Sequence, residues 1–247
     1  MKFLQVKVTP NRVYGNKKED LIMKNKNEFT MNRKEYIDFL ANQSNEISMS
    51  NHNSKTGVAC LNIAFPTCTC REDAPCKNQC YACKGRQQIC RVQAAYYRNL
   101  RLYYDNPDEF FEQVYYKVKF SGLPKVRLFD SGDIPNYDFL VRLVDLCNKT
   151  PNVKYGGFTK KYEIVNEYID KNGDLPDNLN ILFSAWDRLW EVPNPHGLGI
   201  AYVDFKDKRM NPDFPKNVFR CPGRQSTCSV CGVCFSKKVK AVIMDEH

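Results

Sequence analysis

Apolar and polar residues along the chain follow a pattern that predicts strands and helices in alternation. The first strand is CLNIAF (Cys60 to Phe65), a short apolar run of the kind that is buried inside a sheet. The apolar spacing then becomes helical from about Gln87 to Tyr104. Asn106-Pro107 ends this helix and begins a second one, DEFFEQVYYKVKF, because proline fits the first turn of a helix but not its interior.

The alternation continues through the middle of the chain. The predicted elements are, in order, strand KVRLFD (Lys125 to Asp130), helix YDFLVRLVDLCNK, strand VKYGGF, helix KKYEIVNEYIDKNG and strand NLNILFSAW. Two more strands, LGIAYVDF (Leu198 to Phe205) and VKAVIMD (Val239 to Asp245), follow in the last third. Strands that alternate with helices form right-handed parallel units, so the pattern predicts an α/β fold with a parallel sheet or barrel.

We expect one domain with decorated ends, although two small domains would also fit the 247 residues. Residues 1–55 are predicted to form a basic, polar N-terminal extension that packs on the core and contains a short helix in RKEYIDFLAN. The predicted βα core covers residues 56–205. Residues 206–247 are predicted to form a cysteine-rich C-terminal segment of the same domain.

The chain contains twelve cysteines, and whether they form disulfides or bind metal depends on the redox state of the compartment in which the protein works. No apolar run approaches the roughly eighteen residues that span a bilayer, and MKFLQVKVTPNR lacks the apolar core of a secretory signal. We therefore predict a cytoplasmic protein with no membrane partner, in which clustered thiols favour metal binding over disulfides. Cys147 stands apart in an apolar helical pattern and is predicted to be a core residue.

The positive charge of the chain is concentrated at its ends. The net charge is +4 over residues 1–55 (10 basic and 6 acidic residues), zero over 56–204 (18 and 18) and +5 over 205–247 (9 and 4). Within the neutral middle, Lys84 to Tyr104 carries five basic residues, four tyrosines and no acidic residue. The basic ends and this helix are candidate contacts for nucleic acid. The favoured alternative is a helix with its tyrosines in the core and its arginines solvated.

The segment CKNQCYAC places three thiols at the spacing CxxxCxxC; we call Cys76, Cys80 and Cys83 the loop cysteine group. Thiolates select zinc, copper(I) or iron–sulfur clusters over hard cations. Three thiolates leave a fourth coordination position open, which indicates chemistry, whereas a fourth protein ligand would indicate a structural site. Four further cysteines could supply that ligand: Cys60, Cys68, Cys70 and Cys90.

A CxxxCxxC loop that follows the first strand of a βα series resembles the radical S-adenosylmethionine superfamily. The resemblance implies an incomplete parallel (βα) barrel and a four-iron four-sulfur cluster with one iron left for S-adenosylmethionine. It also implies cofactor contacts at the end of the second strand, where this chain has Ser131, Gly132 and Asp133. Ser184, after a later strand, is a candidate contact to the cofactor ribose. Two departures are Ala82, where an aromatic residue is usual, and SGD in place of GGE.

Longer strings resemble the gene-product-88-like family of bacteriophage and mobile-element proteins. They are NSKTG (Asn53 to Gly57), TCTCREDAPCKNQCYACKG, DSGDIPNYDFL, GGFTK and CPGRQSTCSVCGVCF, and together they cover roughly residues 50 to 247. This resemblance implies no particular reaction. It does support Cys76, Cys80 and Cys83 as one functional group of ligands and the cysteines of CPGRQSTCSVCGVCF as a second one. A phage-encoded protein would act in the host cytoplasm.

A second set of thiols, Cys221, Cys228, Cys231 and Cys234, has the form CxxxxxxCxxCxxC; we call it the C-terminal cysteine group. Four thiolates within fourteen residues can close a tetrahedral zinc site or hold an iron–sulfur cubane. The ferredoxin-like CxxCxxC part slightly favours a cluster, with zinc as the alternative.

Several other polar residues have two interpretations. Asp130 and Asp133 flank a loop at the carboxyl end of a strand and could belong to a site or cap the next helix. Lys55 could face an anion, but a solvated lysine is the favoured interpretation. The three histidines, His52, His196 and His247, are scattered and predict no histidine metal site.

These patterns predict an iron–sulfur protein of the radical S-adenosylmethionine type, with one or two 4Fe-4S clusters and an external reductant as its partner. The alternatives are a zinc or iron–sulfur protein that binds nucleic acid without catalysis, or one that senses redox state.

Overall fold

The computed structural model of the protein describes residues 23–24, 30–51 and 53–246. Near the N-terminus, β1 (Met23–Lys24) and β2 (Thr30–Met31) pair antiparallel. The main sheet of the described residues contains β3 (Met49–Ser50), β4 (Leu61–Ile63), β5 (Lys125–Leu128), β6 (Lys154–Thr159), β7 (Leu179–Ser184), β8 (Ile200–Asp204), β9 (Phe219–Arg220) and β10 (Ala241–Asp245). The α-helices are α1 (Arg33–Ala41), α2 (Cys90–Asp105), α3 (Pro107–Ser121), α4 (Tyr137–Lys149), α5 (Tyr162–Asn172) and α6 (Cys228–Cys231).

The strands of the main sheet lie in the order β3-β4-β5-β6-β7-β8-β10-β9. Neighbouring pairs from β4 to β9 are parallel, whereas β3 is antiparallel to β4. The predicted α/β fold with a parallel sheet is therefore confirmed. Because β4 to β8 follow one another in chain order, right-handed connections place α2 to α5 on one face, which we call the helix face.

The predicted helices and strands are confirmed, with ends that differ by a few residues. Helix boundaries follow from side-chain caps. Asn32 and Glu35 form a reciprocal capping box at the start of α1. Asn106 caps α3 at the Glu109 N–H, and Gly122, with φ of 64°, ends that helix.

The helix face carries the larger apolar core. Phe65 after β4 lies 6.0 Å from the Phe110 ring of α3 and 5.4 Å from the Phe139 ring of α4, measured between ring centroids. Aromatic pairs at these separations add to the stabilisation from burial. Cys147 is completely buried in the same core, which confirms its predicted role.

The opposite face of the sheet, which we call the second face, is covered by the C-terminal segment. Leu182 of β7, Ala201 of β8 and Val242 of β10 form a separate buried cluster there. Val233 and Cys234 pack against this cluster. The sheet is therefore buried on both faces, which explains why its strands read as continuous apolar runs.

Two polar and steric details fix the C-terminal segment on the second face. A Cβ atom at Gly156 of β6 would lie 2.8 Å from Cδ1 of Phe235, so this glycine provides the space that the ring fills. Asn180 of β7 donates a hydrogen bond from Nδ2 to the carbonyl oxygen of Cys234 at 2.9 Å.

The N-terminal helix α1 packs against α2. Ile37 and Ala41 bury their side chains with Ala94. Arg98 of α2 donates hydrogen bonds to the carbonyl oxygens of Leu40 and Ala41 at 3.1 and 3.2 Å. No helix in the described ranges is long and apolar enough to cross a membrane.

Candidate functional site

Polar side chains gather at the carboxyl edge of the parallel strands. The cysteine loop follows β4, Asp130 to Asp133 follow β5, and Lys160 follows β6. Ser184 is the last residue of β7. Because the strands are parallel and adjacent, their carboxyl ends meet at one edge, the usual place for sites in such folds.

Asp133 is the best-anchored polar residue of this edge. Its carboxylate accepts hydrogen bonds from Thr159 Oγ1 at 2.5 Å, from the Lys160 N–H at 2.9 Å and from the Ile134 N–H at 2.8 Å. Burial raises the pKa of Asp133 even though these donors and the Lys160 charge oppose the shift. The alternative of a helix cap is wrong, since Asn136 caps α4.

Gly132 holds the SGD turn close to the loop after β4. Its φ of 75° is left-handed, and a Cβ atom there would lie 2.6 Å from Thr69 Oγ1 and 2.7 Å from the Phe65 carbonyl oxygen. The Ser131 carbonyl oxygen accepts from the Phe65 N–H at 3.0 Å. The Ser131 hydroxyl is buried and lacks a hydrogen-bond partner among the described residues. A buried orphan of this kind fits a site that receives a polar ligand.

Lys160 links the ends of β6 and β7. Its ammonium donates to Ser184 Oγ at 2.9 Å and lies 5.6 Å from the centroid of the Trp186 ring. Because the Lys160 N–H also donates to the Asp133 carboxylate, Lys160 connects two of the polar residues expected along this edge, Asp133 and Ser184. Lys160 was not predicted as a site residue, because a lysine at the end of a strand cannot be recognised as functional until its neighbours in the fold are known.

The loop cysteine group is attached to the end of β5. Tyr81, between Cys80 and Cys83, donates a hydrogen bond to the Asp130 carbonyl oxygen at 2.5 Å. Burial raises the pKa of Cys80, the Ala82 backbone opposes this shift, and the nearby Cys83 thiol adds to it. The thiols of this loop therefore lie beside the strand end that carries SGD.

Cys70 is the thiol of this edge that the sequence left unassigned. Burial is the main cause that raises its pKa to about 12; the neighbouring Asp133, Cys80 and Cys76 contribute to this shift, and Lys160 opposes it. Cys70 therefore lies near both the loop cysteine group and the Asp133 carboxylate. The spacing between Cys70 and Cys76 matches no ligand motif, so the sequence could not predict this proximity, which arises from the fold of the loop.

The three other unassigned cysteines differ in their surroundings. Cys90 begins α2 and accepts from the Arg33 guanidinium at 3.3 Å. Cys68 is exposed. Burial raises the pKa of Cys60 to about 12; the nearby Arg127 opposes this shift, and Cys228 contributes to it.

The C-terminal cysteine group lies on the second face rather than at the carboxyl edge. Its four thiols line one cavity together with Lys55. Lys55 Nζ lies 3.6 Å from Cys221 Sγ and also donates to the carbonyl oxygens of Gly223 and Ser226. The solvated interpretation of Lys55 is therefore wrong, because its ammonium is enclosed by this segment.

Among the described residues, no three His, Cys, Asp or Glu side chains already form a group that could hold a metal ion. Whether each cysteine group fits a metal centre is therefore judged from the thiolate chemistry of its donors and from the common location of the cysteines within that group. His196 pairs with Asp170 at 3.0 Å, and His52 and His247 lie outside the described residues.

In α2, the helix proposed to contact nucleic acid, two arginines form hydrogen bonds within the protein. Arg101 donates to the Ser44 carbonyl oxygen at 3.0 Å, and Arg98 is bonded to the end of α1. Tyr103 is buried, whereas Tyr104 is exposed. A nucleic-acid partner therefore stays a prediction, and the expectation of solvated arginines is wrong for Arg98 and Arg101.

Comparison with known proteins gives one family match. The family described as Gene product 88 matches residues 24–208. The match begins earlier than the resemblance in the sequence indicated and ends before the C-terminal cysteine group. No curated protein and no solved structure matches the chain.

Proposed function

The chain belongs to the gene product 88 family, and we propose that it is an iron–sulfur enzyme of the radical S-adenosylmethionine type. The observation that supports this proposal is the order of the sheet. Parallel strands β4 to β8 run in chain order, with the thiol loop after β4 and the SGD turn after β5. In such a sheet the loop and the turn face a common edge.

In this proposal the sheet is the wall of an incomplete parallel (βα) barrel. Its open edges are β3 and β9, two-residue strands at the ends of the strand order. The covered second face then corresponds to the inner side of the wall.

Cys76, Cys80 and Cys83 would hold a 4Fe-4S cluster, since thiolates are its natural ligands. Bound with S-adenosylmethionine, the cluster supplies one-electron chemistry that amino-acid side chains cannot perform. It requires an external reductant as a partner. The proposal includes a phage or mobile-element origin and action in the host cytoplasm.

The chain's own residues would bind and orient the cofactor. The unpartnered Ser131 hydroxyl is available to a polar group, and Gly132 permits close approach of a ligand to the backbone. The Asp133 carboxylate, held by three donors, would fix the turn rather than react. Ser184 Oγ accepts from Lys160 and keeps its own proton to donate to a ribose oxygen.

The test begins with protein purified without oxygen. We expect iron and matching sulfide, binding of S-adenosylmethionine, and release of 5′-deoxyadenosine after reduction with dithionite. Cys76→Ala should remove the iron of the loop cysteine group and abolish cofactor cleavage, because two thiolates do not hold the cluster. The matched control is Cys68→Ala, which changes an exposed thiol of the same loop outside the CxxxCxxC spacing.

Ser131→Ala separates cofactor binding from cluster assembly. Iron content should stay at the wild-type level while affinity for S-adenosylmethionine falls by about tenfold, the value of one lost hydrogen bond of about 1.4 kcal/mol. Zinc without sulfide in the wild-type protein, or equal iron in wild type and Cys76→Ala, would remove the proposal.

A further inference from the structure

We propose that the C-terminal cysteine group forms a tetrathiolate metal site that fastens the C-terminal segment to the second face of the sheet. Lys55 of the NSKTG loop acts in it as a positioning residue. This inference does not depend on the proposed reaction, because the site lies on a different part of the sheet from the loop cysteine group.

The first argument is convergence. Cys221, Cys228, Cys231 and Cys234 line a single cavity. Cys228 and Cys231 stand at the two ends of the one-turn helix α6. Gly232 then takes the left-handed conformation, with φ of 67°, and turns the chain so that Cys234 follows in a 3₁₀ turn. Short-spaced thiols on a glycine turn are typical of tetrahedral thiolate sites.

The second argument is charge. Four thiolates around a divalent metal carry net negative charge, which is costly to bury without cations nearby. Lys55 Nζ lies 3.6 Å from Cys221 Sγ. The Arg127 guanidinium lies near Cys228 and Cys234, where it opposes the effect of burial on their thiols. Lys55 in the cavity and Arg127 beside it therefore supply positive charge that would offset the charge of a tetrathiolate centre.

The third argument is attachment. The Cys228 and Ser229 N–H groups donate to the carbonyl oxygens of Lys55 and Thr56 at 2.9 and 2.8 Å. Lys125 of β5 donates to the Ser229 carbonyl oxygen at 2.5 Å. The backbone that carries the thiols is thus held in place by the NSKTG loop and by β5. Rotation about the Cα–Cβ bonds moves the sulfur atoms without moving this backbone.

Zinc and an iron–sulfur cluster share the tetrathiolate chemistry, and metal analysis distinguishes them. The full chain, purified without oxygen, is assayed for zinc, iron and sulfide in three variants: Cys228→Ser, Cys76→Ala and Cys68→Ser. We expect Cys228→Ser to lose one centre that Cys76→Ala and Cys68→Ser retain. Zinc alone or iron with sulfide in that centre would both support the site. Equal metal content in wild type and Cys228→Ser would overturn it.

The fastening role has its own measurement, limited trypsin digestion at the basic residues of the C-terminal segment. Removing the metal with a chelator should accelerate cleavage there about tenfold in the wild-type chain and leave Cys228→Ser unchanged, because that variant has no centre to lose. A wild-type cleavage rate that does not respond to metal removal would refute the fastening role.

Lys55→Met tests the positioning residue. Metal retention against the chelator should fall by about 10- to 100-fold, as for other groups that orient metal ligands. Lys55→Arg should restore most of the retention because it keeps the charge, and Lys77→Met, at an exposed position of the other loop, should match wild type. Unchanged retention in Lys55→Met would show that the ammonium plays no part in the site.

Discussion

Gly156→Ala places one methyl group where Phe235 meets the sheet. The new Cβ would lie 2.8 Å from Cδ1 of Phe235 and 3.0 Å from both Cε1 of that ring and the Cys234 carbonyl oxygen. Carbon atoms in contact normally lie about 3.5–4.0 Å apart. Phe235 is 3% exposed, so its ring cannot move into solvent without giving up its burial. The substitution therefore strains the attachment of the whole C-terminal segment.

Two effects of opposite sign decide the magnitude. Overpacking a buried position costs about 1–3 kcal/mol. Replacing glycine by alanine at a permitted backbone conformation stabilises by about 0.4–1 kcal/mol, because the unfolded chain loses freedom. We expect a net loss of about 1–2 kcal/mol in the free energy of unfolding. For a chain of this length, that lowers the melting temperature by about 2–8 °C.

The assay is urea unfolding of four proteins: wild type, Gly156→Ala, Phe235→Ala and the double variant. Phe235→Ala should cost about 3–5 kcal/mol because it leaves a cavity. In that background Gly156→Ala should become neutral or stabilising, since the ring that it meets is gone. Equal destabilisation in both backgrounds, or a stabilised single variant, would refute the packing argument.

Two further substitutions test other parts of the molecule. Gly132→Ala should cost about 2–4 kcal/mol in denaturant unfolding, from left-handed strain and overlap with Thr69; an unchanged midpoint would contradict this. Lys208, Asn211 and Arg220 hold the pKa of Asp204 at about 2. Their stabilisation is complete above about pH 4 and is lost as pH falls toward 2. Asp204→Asn should therefore cost about 1 kcal/mol at pH 7, because the cationic partners are exposed, and should flatten the acid side of the stability curve.

Local patterns were sufficient for the elements of the helix face. The spacing of apolar residues predicted α2 to α5 and their strands, because each of these elements buries a continuous stripe or run. The carboxyl-edge position of SGD and Ser184 followed from the parallel order alone. Edge strands β3 and β9 escaped prediction, since two residues carry no periodicity.

The parts that escaped sequence reasoning depend on contacts between distant residues. Cys60 and Cys70 lie only ten residues apart, yet the fold places Cys60 near Cys228 of the second face and Cys70 near Asp133 of the carboxyl edge. Lys55 resembles any polar loop lysine until the C-terminal segment encloses it. The local sequence around these residues does not predict which distant residues they contact in the fold.

The contacts that enclose Lys55 can form only late in protein synthesis, after the C-terminal segment has been made. Lys55 bonds to carbonyl groups 168 and 171 residues further along the chain. The ribosome therefore exposes the strands long before the segment that covers their second face exists. Leu182 and Ala201 therefore cannot complete their buried cluster with Val242 until that segment emerges. Contacts of such long sequence separation form slowly, so closure of the second face is expected to be the last and slowest step of folding.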